Sequence, residues 1–390
     1  MMRLIIFRQA VIRRIVIGAA IPLAVSGCGI FGWFASKDPR TLPAPLVEIK
    51  PTVSLRTDWQ ATVGKSREFV FTPAVAGQSV YAASAEGQLM ALTAGTGKQL
   101  WRTDAAKQLS GGVGAGANLV LVGTQKGQLL AFDNGGKALW AVPLGAEILA
   151  PAAVDGATVV VRTADGRLLG INSTDGARKW TYQRVTPALA LRSAAPVAIA
   201  RGAVFAGFAG GVVTALDLET GRVGWESVVA APRGATELER IADVSSAPVV
   251  DGTQVCAAAY QGRVACFDVS SGKSLWSRDT SSSAGIAVDD KYVYVAEESG
   301  ALSALDKKTG ASVWKQDKLT NRRLGAPVIR GAVVLVGDGF GFIHALSKED
   351  GAFTARLATD GSALTARPQV ADNAVIFQTR DGGLYAVTVH

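Results

Sequence analysis

Histidine, cysteine and long apolar runs are what this sequence of 390 residues is short of. With only His344 and the terminal His390, it offers no histidine cluster for a metal and no Ser-His-Asp relay. Its main apolar run, Ile15 to Val25, is too short to span a bilayer. Neither a Walker A loop nor a dinucleotide-binding glycine fingerprint occurs. Charged residues make up only 18% and form no Lys/Arg cluster, so the formal charge of +8 is weak support for nucleic-acid binding. Without Arg3, Arg8, Arg13 and Arg14, which precede Cys28, 36 basic residues face 32 acidic ones. Apolar residues are plentiful at 48%, enough for a large core and against wholesale disorder. The 44 glycines point to many tight turns, and so to an all-β repeat architecture.

Residues 1–27 read as an export signal: basic residues, then the apolar run, then small residues ahead of a cysteine. Val25-Ser26-Gly27-Cys28 matches the lipobox of bacterial lipoproteins, in which cleavage leaves the lipid-bearing cysteine as the new N-terminus. Several acyl chains on Cys28 would hold the chain firmly, since one chain alone gives marginal binding. Position two of the processed chain is Gly29 rather than the aspartate that often retains lipoproteins in the inner membrane, and resemblance to that sorting rule implies an anchor in the outer membrane with the body in the periplasm. Residues 28–54 carry Pro39, Pro43, Pro45 and Pro51 without apolar periodicity and read as a tether.

From there to residue 390 one pattern recurs: a glycine, alternating apolar and small residues, a turn, then tryptophan. GQLMALTAGTGKQLW ends at Trp101, and its counterparts end at Trp140, Trp180, Trp225, Trp276 and Trp314. A seventh copy places Ala355 where tryptophan is expected, and an eighth, from Gly382, stops at GGLYAVTVH. The opening glycines, 87, 127, 166, 211, 262, 300, 341 and 382, lie 38 to 51 residues apart, a period that suits one four-stranded blade. Two residues after each glycine stands Leu, Val or Ile; four after stands Ala, Gly or Cys. Both fall on one strand face, and the small residue implies close packing there, most simply by the neighbouring blade. Trp59 stands alone at the start of the folded region, where its strand can complete the truncated eighth unit. The sequence thus predicts an all-β eight-bladed propeller over 55–390, its blades four-stranded and antiparallel, closed by its N- and C-terminal strands with no free sheet edge.

The motif A-L-D-x-x-T-G-x-x-x-W, clearest from Ala215 to Trp225 and from Ala304 to Trp314, resembles the tryptophan-docking repeat of the pyrroloquinoline-quinone-type propellers. That resemblance implies that Trp59, Trp101, Trp140, Trp180, Trp225, Trp276 and Trp314 pack on the adjoining blade and lock the ring. Lipobox, proline-bearing tether and a single such propeller together resemble the BamB family, lipoproteins of the outer-membrane β-barrel assembly machinery. The resemblance implies a non-catalytic scaffold without a cofactor, binding the POTRA domains of BamA and other members of the machinery. Contact with nascent outer-membrane proteins is left open.

Two consecutive repeat intervals are the longest, with their extra residues in 181–196 and 226–248. Insertions in repeat proteins map to loops, often on a binding face. These carry Leu189, Leu191 and Arg192, then Arg240 and Asp243, and arginine beside exposed apolar residues is a hot-spot composition. Leu189-Ala190-Leu191-Arg192 is similar to the BamB family's Leu-x-Leu-Arg contact loop, whereas Asp243-Val244-Ser245 lacks the second carboxylate of its D-V-D stretch. All five are expected to contact a partner.

The competing enzymatic reading is a quinoprotein dehydrogenase, and a ligand-sensing propeller is a third. The vicinal disulfide common in those dehydrogenases has no counterpart here, since no two cysteines are adjacent. Asp133, Asp217, Asp268 and Asp306 read as turn residues and His344 as structural. Cys256 and Cys266 flank a hairpin turn symmetrically and face each other across it, either as a disulfide or as two buried thiols.

Overall fold

The computed structural model describes residues 42–390. The expected export signal, Cys28 and the first part of the tether lie outside the described residues. Every regular element described is a β-strand, and the strands form eight separate four-stranded antiparallel sheets. Blades 1 to 7 run over 74–104, 109–143, 153–182, 198–228, 249–279, 285–316 and 328–358. Blade 8 takes three strands from 369–389 and its outermost one from the other end of the fold, Leu55–Thr62. Trp59 there lies opposite Ala386.

Burial follows from position within a blade. A middle strand such as Leu119–Thr124 is buried at every residue, because neighbouring blades cover both its faces. An outermost strand such as Gln99–Asp104 alternates, because one face looks to water. The expectation of no free sheet edge needs correction. Closure is between blades, so each sheet keeps an innermost and an outermost strand with one unpaired side. Every outermost strand carries a register shift near its docking position, and such irregularities blunt an edge against stray pairing.

The repeated small residue also has a different cause from the one expected. Ala91, Ala131, Gly170, Ala215, Cys266, Ala304 and Ala386 lie directly opposite the tryptophan of their own blade. At Gly170 a Cβ would sit 2.1 Å from the Trp180 ring, so the indole folds over this position. The far side of each indole then reaches the next blade. Its Nε1–H donates to a carbonyl in that blade's turn, from Trp59 to Ala94 (2.7 Å) round to Trp314 to Lys348 (2.8 Å). The turn glycine beside each carbonyl is needed twice over. Gly272, for example, has φ of 69°, and a Cβ there would meet the Trp225 ring at 2.5 Å.

One boundary lacks this lock. Blade 7 carries Ala355, and blade 8 has chain ends where the glycine turn would be. Part of the expected tether fills the gap: residues 43–54 lie along the propeller as a strap rather than leaving it. Ala44 N–H donates to Thr320 O, Thr52 N–H to Thr354 O, and Ser54 pairs with His390 in both directions. Val53 and Leu55 pack against the core cluster that includes Ala355, Val375 and Phe377. Arg322 and Arg356 donate to the strap carbonyls of Ala44 and Val47, each at 3.0 Å. Buried Asp338 accepts from Arg322 Nε at 2.6 Å and lies 2.9 Å from His344 Nε2, while Arg356 Nε donates to His344 Nδ1. His344 therefore has a structural place, orienting an arginine that holds the strap.

Cys256 and Cys266 are opposite each other in blade 5 and joined as a disulfide. Asp217, Asp268 and Asp306 accept hydrogen bonds from the turn that follows them, as Asp268 does from Ser270 and Ser271.

Candidate functional site

The two long connectors, 183–197 from blade 3 to blade 4 and 229–248 from blade 4 to blade 5, adjoin each other. They are too long for the gap they span and have no strand to pair with, so side chains must fasten them. Asp243 does most of this. Its Oδ2 accepts from Leu191 N–H at 2.6 Å and its Oδ1 from Gly210 N–H at 2.9 Å. Its own carbonyl accepts from Tyr260 N–H, and Ser193 Oγ–H donates to Ser245 O. Asp243 is only 3% exposed, so its expected place as a contact residue is corrected: an unpaired buried carboxylate is costly, and two amides satisfy it inside the protein. It joins the connectors rather than facing outward.

Arg192 turns toward neighbours far from it along the chain. Its Nη2 donates to both carboxylate oxygens of Glu147 at 2.8 Å, and its guanidinium lies 5.4 Å from the Phe69 ring centroid. Its side chain still keeps 53% exposure, so it is fastened and accessible at once. Leu189 is exposed at 42%, while Leu191 is half-buried.

In the second connector Thr236 and Glu239 form a reciprocal cap. Glu239 Oε2 accepts from the Ala235 and Thr236 amides, and Glu239 N–H donates to Thr236 Oγ1. Those amide bonds hold the Glu239 carboxyl below its ordinary range. Arg240 folds back on its own loop, donating to Gly234 O at 3.1 Å and lying near Glu237, yet stays exposed. The turn lifts Leu238 to 68% exposure, and Val185 in the first connector reaches 96%. Neither was singled out from the sequence, although both lie in the two stretches that repeat spacing marked. Glu147 and Phe69 lie on connectors remote in sequence and carried no signal.

Chemically this surface offers exposed apolar side chains, a held guanidinium and main-chain groups. That is equipment for binding a protein surface. Among the described residues no three of His, Cys, Asp and Glu gather as metal ligands do.

Comparison with known proteins agrees on one lineage. The family model described as "Outer membrane protein assembly factor BamB" matches residues 54–104, 85–316 and 317–390. A curated relative of that name from Nitrosomonas eutropha is 47% identical over 347 residues, covering 89% of this chain and 85% of the relative. The crystal structure of BamB from Moraxella catarrhalis superposes with a TM-score of 0.80 at 29% identity, over 86% of this chain and all of that one. The quinohemoprotein alcohol dehydrogenase of Comamonas testosteroni reaches a TM-score of 0.69 over 85% of this chain and 76% of its own, but at 14% identity it shares the fold alone. The curated relatives are named as assembly factors, not as enzymes.

Proposed function

The chain belongs to the BamB family of outer membrane protein assembly factors, and on that footing we propose that it is a non-catalytic scaffold of the outer-membrane β-barrel assembly machinery. It is held at the periplasmic face of the outer membrane by lipid on Cys28 and binds the POTRA domains of BamA. The observation that carries the reading is the joined pair of connectors. Asp243 stitches them into one unit, on which Leu189, Val185 and Leu238 are exposed and Arg192 is fastened yet accessible. Apolar anchors on a fixed frame are what a protein partner can bury without first ordering a loop. The open outer edges of the blades add a second means, main-chain pairing with a partner strand.

The test is recovery of BamA with the tagged protein from detergent-solubilised envelopes. Leu189→Asp combined with Arg192→Ala should lower recovery at least tenfold, with the circular dichroism spectrum unchanged. Alanine is the better choice at 192, because a glutamate there would face Glu147 and lift the loop. Undiminished recovery by the double variant would move the contact away from these connectors.

A further inference from the structure

The channel at the centre of the ring holds a charge that the fold leaves unanswered. Its mouth is a cavity of about 310 Å³ bordered by connector residues such as Ser193, Ser246 and Ile286. Below it lies a chamber of about 620 Å³ walled by innermost strands, with Val113, Ala152, Ala287 and Ile329 on its surface. Thr72, Pro196 and Arg367 line both, so Arg367 stands at the junction. No aspartate or glutamate lines either cavity. Arg192 also borders the mouth, but Glu147 and Phe69 hold it.

Arg367 is held differently. It lies next to Pro368 in the connector leading to the innermost strand Gln369–Ala371, and its carbonyl accepts from Gln369 Nε2 at 3.4 Å. Its guanidinium has no hydrogen-bond acceptor or carboxylate partner among the described residues. Burial pulls its pKa below the ordinary arginine value, and no neighbouring carboxylate offsets that. Arginine keeps its proton in proteins, so the channel carries a fixed positive charge with no carboxylate on its walls. Arg367 is half-buried and its guanidinium nitrogens stay open to the channel, where a concave wall focuses their field on whatever enters. The planar fork matches two oxygens of one carboxylate or phosphate. Serine and threonine hydroxyls share these walls with apolar side chains, a mixture that suits a small polar ligand, and both cavities fall in the usual size range.

We propose that Arg367 makes the junction of the central channel a binding site for a single oxyanion group, a carboxylate or a phosphate, on a ligand small enough to enter or on the end of a chain. Thr72 lines both cavities as well. The inference does not depend on the partner assigned to the connectors: they border the mouth, but the binding group proposed is Arg367, on the connector before the last innermost strand.

The experiment uses the full-length chain in detergent. Calorimetric titration and thermal unfolding are followed with sodium acetate, sodium phosphate, and tetra-alanine with a free or an amidated C-terminus, against sodium chloride at equal ionic strength. At least one oxyanion should bind one to one and raise Tm by a few degrees. Arg367→Gln should bind it at least tenfold more weakly, while being no less stable than the parent without ligand. Binding of the free acid but not the amide of tetra-alanine identifies a chain terminus as the ligand type; binding of phosphate alone identifies a phosphate ester or free phosphate. A second readout needs no variant: phenylglyoxal modification of Arg367, followed by mass spectrometry, should slow when the bound oxyanion is present. The proposal is overturned if no oxyanion exceeds chloride, if Arg367→Gln binds as the parent does, or if modification of Arg367 is unaffected.

Discussion

Trp225 lies between Phe205 of its own blade and Phe267 of the next, at centroid separations of 5.9 and 6.4 Å, with its N–H taken by Val269 O at 3.1 Å. Removing the ring takes away both the packing and the inter-blade bond, so Trp225→Ala should lose about 3–5 kcal/mol in urea unfolding. The reverse change at the exceptional boundary should not help. Ala355→Trp restores the repeat's consensus, yet blade 8 has no glycine turn to receive an indole, and Val53 and Leu55 already pack on the cluster that holds Ala355. It should cost about 1–3 kcal/mol by overpacking; a gain in stability would show that the strap does not substitute for the lock. At this scale the sequence was legible as to which residues matter and less so as to why. The small residue four after each glycine was visible, but its cause, the blade's own indole, depends on a cross-strand register that spacing alone does not show.

Between residue and ring, the elements that sequence periodicity described best are the repeated strands; those it described least are the pieces without a period. Proline-bearing residues 43–54 have tether composition, and only the arginines of blade 7 and the connector before it reveal where they lie. The same holds for the two connectors: their excess length was countable, but Asp243 turning inward to bind Leu191 and Gly210 was not. The strap's fastening depends on pH. Burial, foremost, keeps the His344 imidazole below its ordinary value, with Arg356 and Arg322 adding in the same sense against Asp338. The folded chain thus takes this proton less readily than the unfolded one. Stability from the neutral ring is complete above the ordinary histidine value of about 6.5 and is lost as pH falls through the lower folded value. Asp338 acts in the same direction further into acid: burial opposes it, but His344 and the Phe342 and Phe340 amides hold its carboxyl below the usual range. Hydrogen-exchange protection at the Ala44 and Thr52 amides, corrected for intrinsic rates, should therefore fall between pH 7.5 and pH 5. His344→Phe should flatten that dependence, and equal protection at both pH values in the parent would refute it.

For the molecule as a whole, the number of blades and the means of closure were readable because eight glycines and an orphan tryptophan are simple to count. What the centre of the ring contains was not, because Arg367 belongs to no repeat position. Closure rests on the pairing of Leu55–Thr62 with Gly383–Val389. Deleting residues 384–390 removes that partner together with buried Leu384, Ala386 and Val387, and should replace one cooperative melting transition by a broad one at lower temperature. A sharp transition near the parent's Tm would mean that the other blades hold without the seam.

The same seam sets an order on biogenesis. A polypeptide made from its N-terminus delivers Leu55–Thr62 before any other strand described and its mate Gly383–Val389 after all of them. Until that mate emerges, the opening strand waits, its edge bare, and every blade already built belongs to an open arc. The final few residues to arrive turn that arc into a circle, so a nascent chain halted anywhere earlier is left without the seam that completes it.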